Sequence, residues 1–139
     1  MKLVWMVAGL AALLISPVHA QEQQDVAVTQ LLSTTVTSSG QPIVLPQKDA
    51  QIIVSTYDVM PSVTLAVHKH PYPRYAYVLS GNIRVTNMET GRSDTYKTGD
   101  FILESVGQWH AGANIGDEQV KLLVIDMVEK GRTNTVLCE

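Results

Sequence analysis

Cysteine is almost missing from this 139-residue chain: Cys138 is the only one, and one thiol cannot close an internal bridge. A small disulfide-stapled scaffold is therefore excluded, and Cys138, one residue from the last position, reads as an incidental tail residue rather than a nucleophile. Basic clusters are missing too. Ten Lys and Arg face thirteen Asp and Glu, for a net charge of −3, and no Lys/Arg-rich stretch could track phosphates or lie on an anionic membrane. Nucleic acid is not an expected partner.

Long apolar runs are confined to the beginning of the chain. Lys2 precedes an apolar run over residues 3–15, and Val18-His19-Ala20 offers a small-residue exit. The run falls short of the roughly 20 apolar residues a membrane span needs, and Pro17 and Gln21-Glu22-Gln23-Gln24 follow it closely. Residues 1–20 are read as a cleaved signal peptide, which implies an exported protein, periplasmic or secreted, with no membrane attachment after cleavage. Losing Lys2 leaves nine basic against thirteen acidic residues, a charge of about −4. The remaining 119 or so residues suffice for one domain and not two. An N-terminal arm and first strand are expected over 21–50, and a β-barrel domain over 51–139.

What is present is strand-like. Apolar residues alternate more often than they fall at helical spacing, with strands expected over 26–36, 51–59, 63–68, 75–79, 83–87, 95–97, 101–103, 108–113 and 120–128, residues 21–30 being equally compatible with a short helix or a loose arm. Met60-Pro61, Ser80-Gly81-Asn82, Glu89-Thr90-Gly91, Thr98-Gly99-Asp100 and Asn114-Ile115-Gly116-Asp117 punctuate them. Many short strands broken by Gly and Asn turns indicate an all-β, antiparallel sandwich or barrel.

The chemistry gathers in two stretches. In Val67-His68-Lys69-His70-Pro71-Tyr72-Pro73-Arg74, residues two apart on a strand share a face, so His68 and His70 project together while Lys69 points away. In the second stretch, His110 enters a strand after the Gly107 turn. A third imidazole from a distant strand would complete a facial set of three nitrogens with positions left open. Of four histidines His19 leaves with the signal, and the other three all lie in these two stretches.

These two stretches resemble the two motifs of the cupin superfamily. His68, His70 and Gly81 match the first, with Ser62 in place of its leading glycine and Arg74 where a glutamate is expected. Gly99, Gly107, His110 and Asn114 match the second, with Ser105 in place of proline. The resemblance implies a double-sheet jelly-roll barrel, a divalent metal ion on His68, His70 and His110, and frequently a homodimer. Fe(II) suits such a site, and Zn, Mn, Ni and Cu also accept imidazole. Arg74 cannot ligate a cation, because a guanidinium has no lone pair to donate. It swings outward, with Glu104 as a partner, or clamps a substrate carboxylate with two parallel hydrogen bonds, or displaces the metal.

Tyr72, between two prolines, is a candidate for the pocket rim. Tyr75 and Tyr77 are expected to pack between sheets or at a dimer contact, Trp109 in the core, and Asn114 in the turn after its strand. Two functions remain open. One is a small three-histidine metalloenzyme, dioxygenase-like, acting on a small anionic or enolisable compound. The other is a non-catalytic module that binds a small ligand.

Overall fold

A computed structural model describes residues 26–139; the expected signal peptide lies outside the described residues. The described chain is all-β. β1 (Ala50–Val59), β8 (Val120–Glu129), β3 (Arg74–Ser80) and β6 (Phe101–Leu103) form one sheet in the order β1-β8-β3-β6. β5 (Ser93–Lys97), β4 (Asn82–Asn87), β7 (His110–Asn114), β2 (His68–Lys69) and β9 (Val136–Leu137) form the other in the order β5-β4-β7-β2-β9. The pairings between named strands are all antiparallel.

Strand β8 shows why the sheets face each other. Its burial alternates residue by residue, placing Val120, Leu122, Val124, Asp126 and Val128 on the inner face. These valines and Leu122 meet Ala76 and Val78 of β3, Ile83 of β4, Ile102 of β6 and Val59 of β1 in one buried cluster. Each fully buried aliphatic side chain there contributes about 1.5–3 kcal/mol, so the cluster is the principal clamp between the sheets. Asp126 is the polar exception in the inward row.

The corner between β3 and β4 passes the chain from one sheet to the other at Gly81. Its φ is +81°, and a Cβ there would sit 2.9 Å from Val120 Cγ2 and 3.0 Å from the Gln119 carbonyl oxygen. Only glycine fits. Ser62, at the place of the first motif's leading glycine, keeps the left-handed turn with a side chain attached, at φ +64°.

The structure corrects two strand expectations and adds one strand. Residues 26–35 form no strand, and Val36 makes only an isolated bridge to Pro42: Leu31 to Thr34 lie near Tyr75, Phe101 and Leu103, but no described strand pairs with them. Over 63–68 only Thr64 bridges, to Ala113, before β2 begins at His68. The short β9, which pairs Leu137 with His68 and Val136 with Lys69, went unanticipated.

Candidate metal centre

Register brings the three histidines together. His68 on β2 lies directly opposite His110 on β7, and His70 follows two residues on, bridged to Val106. The three ring centroids stand 4.5 to 4.9 Å apart, a nearly equilateral triangle. All three residues are buried, His70 completely.

Each ring is held by its Nδ1. His68 Nδ1 meets the Ala66 carbonyl at 2.7 Å, His110 Nδ1 meets that of Gln108 at 2.8 Å, and His70 Nδ1 meets that of Asn134. A carbonyl only accepts, so each Nδ1 carries the proton, and in the neutral ring each Nε2 keeps its lone pair. This is the arrangement that orients a ligating imidazole.

A carboxylate completes the cluster. Glu104 Oε2 lies 2.8 Å from His70 Nε2 and 2.9 Å from His110 Nε2. The ligand atoms of His68, His70, Glu104 and His110 all fall within 4.8 Å of one another, so the group could hold a metal ion. The fit is supported by His70 Nε2, which is buried and close to Glu104 but angled off the hydrogen-bond direction, leaving it without a partner among the described residues. A buried lone pair of this kind is costly unless a cation meets it.

The electrostatics agree. Burial by itself would raise the Glu104 pKa, but the hydrogen bond with His110 and the close approach of His70 hold its carboxyl well below the usual range. Burial lowers the pKa of His68. Burial would do the same to His110, but Glu104 outweighs it and the pKa is raised. Without a metal ion, the opposite shifts favour a proton on His110 Nε2 facing an ionised Glu104; a cation could replace it.

Glu104 was anticipated only as a partner for Arg74, and the structure corrects that pairing. Arg74 lies opposite Asp126 in the β3–β8 register and forms a forked ion pair, Nε to Oδ1 at 2.7 Å and Nη2 to Oδ2 at 3.0 Å. Nη2 also donates to Thr135 Oγ1 at 3.2 Å, and the side chain is buried rather than swung outward. Burial disfavours its charge, yet Asp126 more than compensates and raises its pKa. The fork is thus filled from within, while Nη1 has no hydrogen-bond partner among the described residues.

Alternation held signals for both acids. Glu104 is two residues after inward Ile102, and Asp126 follows Val120, Leu122 and Val124 at the same spacing. An acid at an inward position demands a partner.

Between the sheets, Glu104, His68, His110 and Arg74 line a cavity of about 30 Å³, room for about one water molecule. It adjoins an outer recess of about 190 Å³, where Tyr57, Leu65, His68 and Arg74 meet Thr135 and Leu137. Tyr72 lines neither: its amide donates to Asn134 Oδ1 at 2.8 Å and its hydroxyl to Glu129 at 3.3 Å. Trp109 is only partly buried, with Lys69 Nζ 4.4 Å from its ring centroid, so it is not core. Tyr75 and Tyr77 flank Phe101 on the opposite face of β3 from the buried row of Arg74, Ala76 and Val78. Asn114 braces its turn, donating to the carbonyls of Val59 and Glu118 and accepting from the Gly116 amide.

Residues 55–126, just over half of the chain, match the family described as the cupin domain. The chain belongs to the cupin family, and the two-sheet fold agrees. No curated protein matches the sequence. Among solved structures, an uncharacterized conserved protein with a double-stranded β-helix domain from Klebsiella pneumoniae is 26% identical, with 70% of this chain and 82% of that one covered and a TM-score of 0.52. The polyketide cyclase RemF from Streptomyces resistomycificus is 20% identical over 67% of this chain and 65% of that one, TM-score 0.54. The DMSP lyase DddQ from Ruegeria pomeroyi is 19% identical over 70% of this chain and 46% of that one, TM-score 0.55. The last two share the fold, and this chain spans less than two thirds of their length.

Proposed function

We propose that this cupin is an exported metalloprotein that binds one divalent ion on Nε2 of His68, His70 and His110 with Glu104 as the carboxylate, and acts on a small anionic or enolisable compound. The observation that carries it is the convergence of three Nδ1-anchored imidazoles and one carboxylate within 4.8 Å. Glu104 takes over from the second motif's side what the first motif lost when Arg74 replaced its glutamate. Three imidazoles and one carboxylate suit Fe(II), and they also accept Zn, Mn, Ni or Cu.

Such an ion supplies Lewis acidity toward a bound oxygen atom and lowers the pKa of a bound water. The chain's own part is to aim the rings, exclude solvent and admit the substrate. The inner cavity of about 30 Å³ leaves room beside the ligands for little more than one water-sized group, so the body of a substrate rests in the outer recess of about 190 Å³. There Tyr57, Leu65 and Leu137 offer apolar contact, and Arg74 is the permanently charged side chain of the lining. Because Asp126 neutralises Arg74, a substrate anion would draw its charge complement from the ion rather than from a two-pronged arginine clamp.

The activity we infer is that of an oxygen-dependent oxidoreductase of dioxygenase type. The filled Arg74 fork favours the second, a module that binds a small ligand without turnover. The first test is the metal content of untagged protein, against a His68→Ala/His110→Ala double variant. About one ion per chain, lost in the variant, supports the centre; negligible metal in both after anaerobic reconstitution with iron and with zinc refutes it. Oxygen uptake by the iron-loaded protein with a panel of diketones and small carboxylates then separates the enzyme from the binder, which would show only a ligand-induced rise in melting temperature.

A further inference from the structure

The same carbonyl device anchors all three histidines, but not from the same distance along the chain. His68 and His110 are held by carbonyls two residues back, at Ala66 and Gln108. His70 is held by Asn134, 64 residues away. Two rings are therefore oriented by their own strands, and the third by a segment that arrives from elsewhere.

That segment, residues 131–137, leaves the end of β8 in one sheet and joins the other as β9 beside β2. On the way the buried side chain of Asn134 accepts the Tyr72 amide at 2.8 Å and donates to Asp126 Oδ1 at 2.6 Å. Asp126 holds Arg74, and Arg74 reaches back to Thr135 on the same segment. The chain of contacts from His70 through Asn134, Asp126 and Arg74 to Thr135 thus starts at the ring and ends on the strap that holds it. Thr135 and Leu137 also form a wall of the outer recess.

We propose that segment 131–137 is a working strap of the metal centre, with Asn134 as the positioning residue that sets the tautomer and direction of His70. The inference rests on the metal-binding reading above. It extends that reading by making the mouth and the metal respond to one element: whatever presses on Thr135 or Leu137 in the recess is transmitted to His70, and binding of the ion stiffens the recess wall in return.

The test uses the full chain, metal-free and folded by circular dichroism, titrated with Co(II) as a spectroscopic probe. Asn134→Ala keeps the main-chain carbonyl that meets His70 Nδ1 but removes the side-chain bonds to Tyr72 and Asp126 that fix its position; the variant is expected to bind Co(II) about 10- to 100-fold more weakly than the wild type, the range for disturbing an orienting partner, with altered visible bands. In nitrogen-15 spectra of the metal-free protein, the His70 Nδ1 proton should be fixed in the wild type and exchange-broadened in the variant. Asn134→Ser keeps a short acceptor for the Tyr72 amide and should fall between; it takes the place of the alanine variant if that chain does not fold. A folded variant with wild-type affinity, bands and His70 signal overturns the strap proposal alone. A wild-type chain that takes up no Co(II) overturns the metal reading and this inference with it.

Discussion

Asp126→Asn isolates the role of the buried pair beneath the metal site. In the native protein the Arg74 and Asp126 side chains are 7% and 8% exposed, so solvent screens the pair little. The asparagine keeps the shape and one acceptor oxygen but removes the charge, leaving a guanidinium buried against a neutral amide. Breaking a buried pair in this way costs about 3–5 kcal/mol, and the retained oxygen puts this variant near 3 kcal/mol. With a urea dependence of about 1.5 kcal/mol per molar, the unfolding midpoint should fall by roughly 2 M. The double variant Arg74→Met/Asp126→Leu removes both charges and fills the space but takes the acceptor from Asn134 Nδ2, and should return to within about 1–2 kcal/mol of the native stability. The assay is urea unfolding of the metal-free protein followed by circular dichroism, with the singles Arg74→Met and Asp126→Leu closing a cycle with the double. An Asp126→Asn midpoint within about 0.5 M of wild type, or a double variant no better than the single, would refute the claim that Arg74 is kept in place by charge pairing.

Ser62→Gly should stabilise the fold by about 0.5 kcal/mol, since relief of a left-handed φ is worth about 1–2 kcal/mol and the added freedom of the unfolded chain takes back about 0.4–1; a melting temperature raised by a few degrees checks it. Glu104→Gln should lower affinity for Zn(II) or Fe(II) by at least about tenfold in a chelator competition while the apo protein stays folded, because it removes the anionic ligand candidate. The pH dependence has a definite sign. The raised His110 pKa adds stability to the metal-free protein that is complete below about 6.5, its ordinary value, and is lost as pH rises through the folded value. Metal needs Nε2 free of its proton, so the rise in melting temperature on adding Zn(II) should grow between about pH 6 and 8; a flat or falling profile would contradict the Glu104–His110 proton. The lowered Glu104 pKa contributes stability present above about 4.5 and lost only as pH falls through its depressed folded value.

Much of the barrel was legible beforehand because a strand with one face inward writes its geometry into a two-residue period. β3, β4, β6 and β8 fell within a residue or two of the alternation and turn signals. The arm at 26–35 misled for the same reason: its valines and leucines look like a strand, but strand formation needs a neighbour's hydrogen bonds, and no described strand supplies them. β9 is two residues long, too short for any period to register.

The amino-acid sequence by itself determined the all-β class, the cupin motifs and the three histidines, because spacing along a strand and rarity of a residue type are properties of one dimension. It also marked Arg74 as the departure from the family pattern. What Arg74 does with its charge, which acid joins the histidines and what aims His70 were decided only by the tertiary structure. Those answers are Asp126, Glu104 and Asn134, lying 52, 6 and 64 residues from the partners they serve at Arg74, His110 and His70. Pairings of that kind follow from cross-strand register and from where a loop crosses the barrel mouth, and local chain chemistry does not encode either distance.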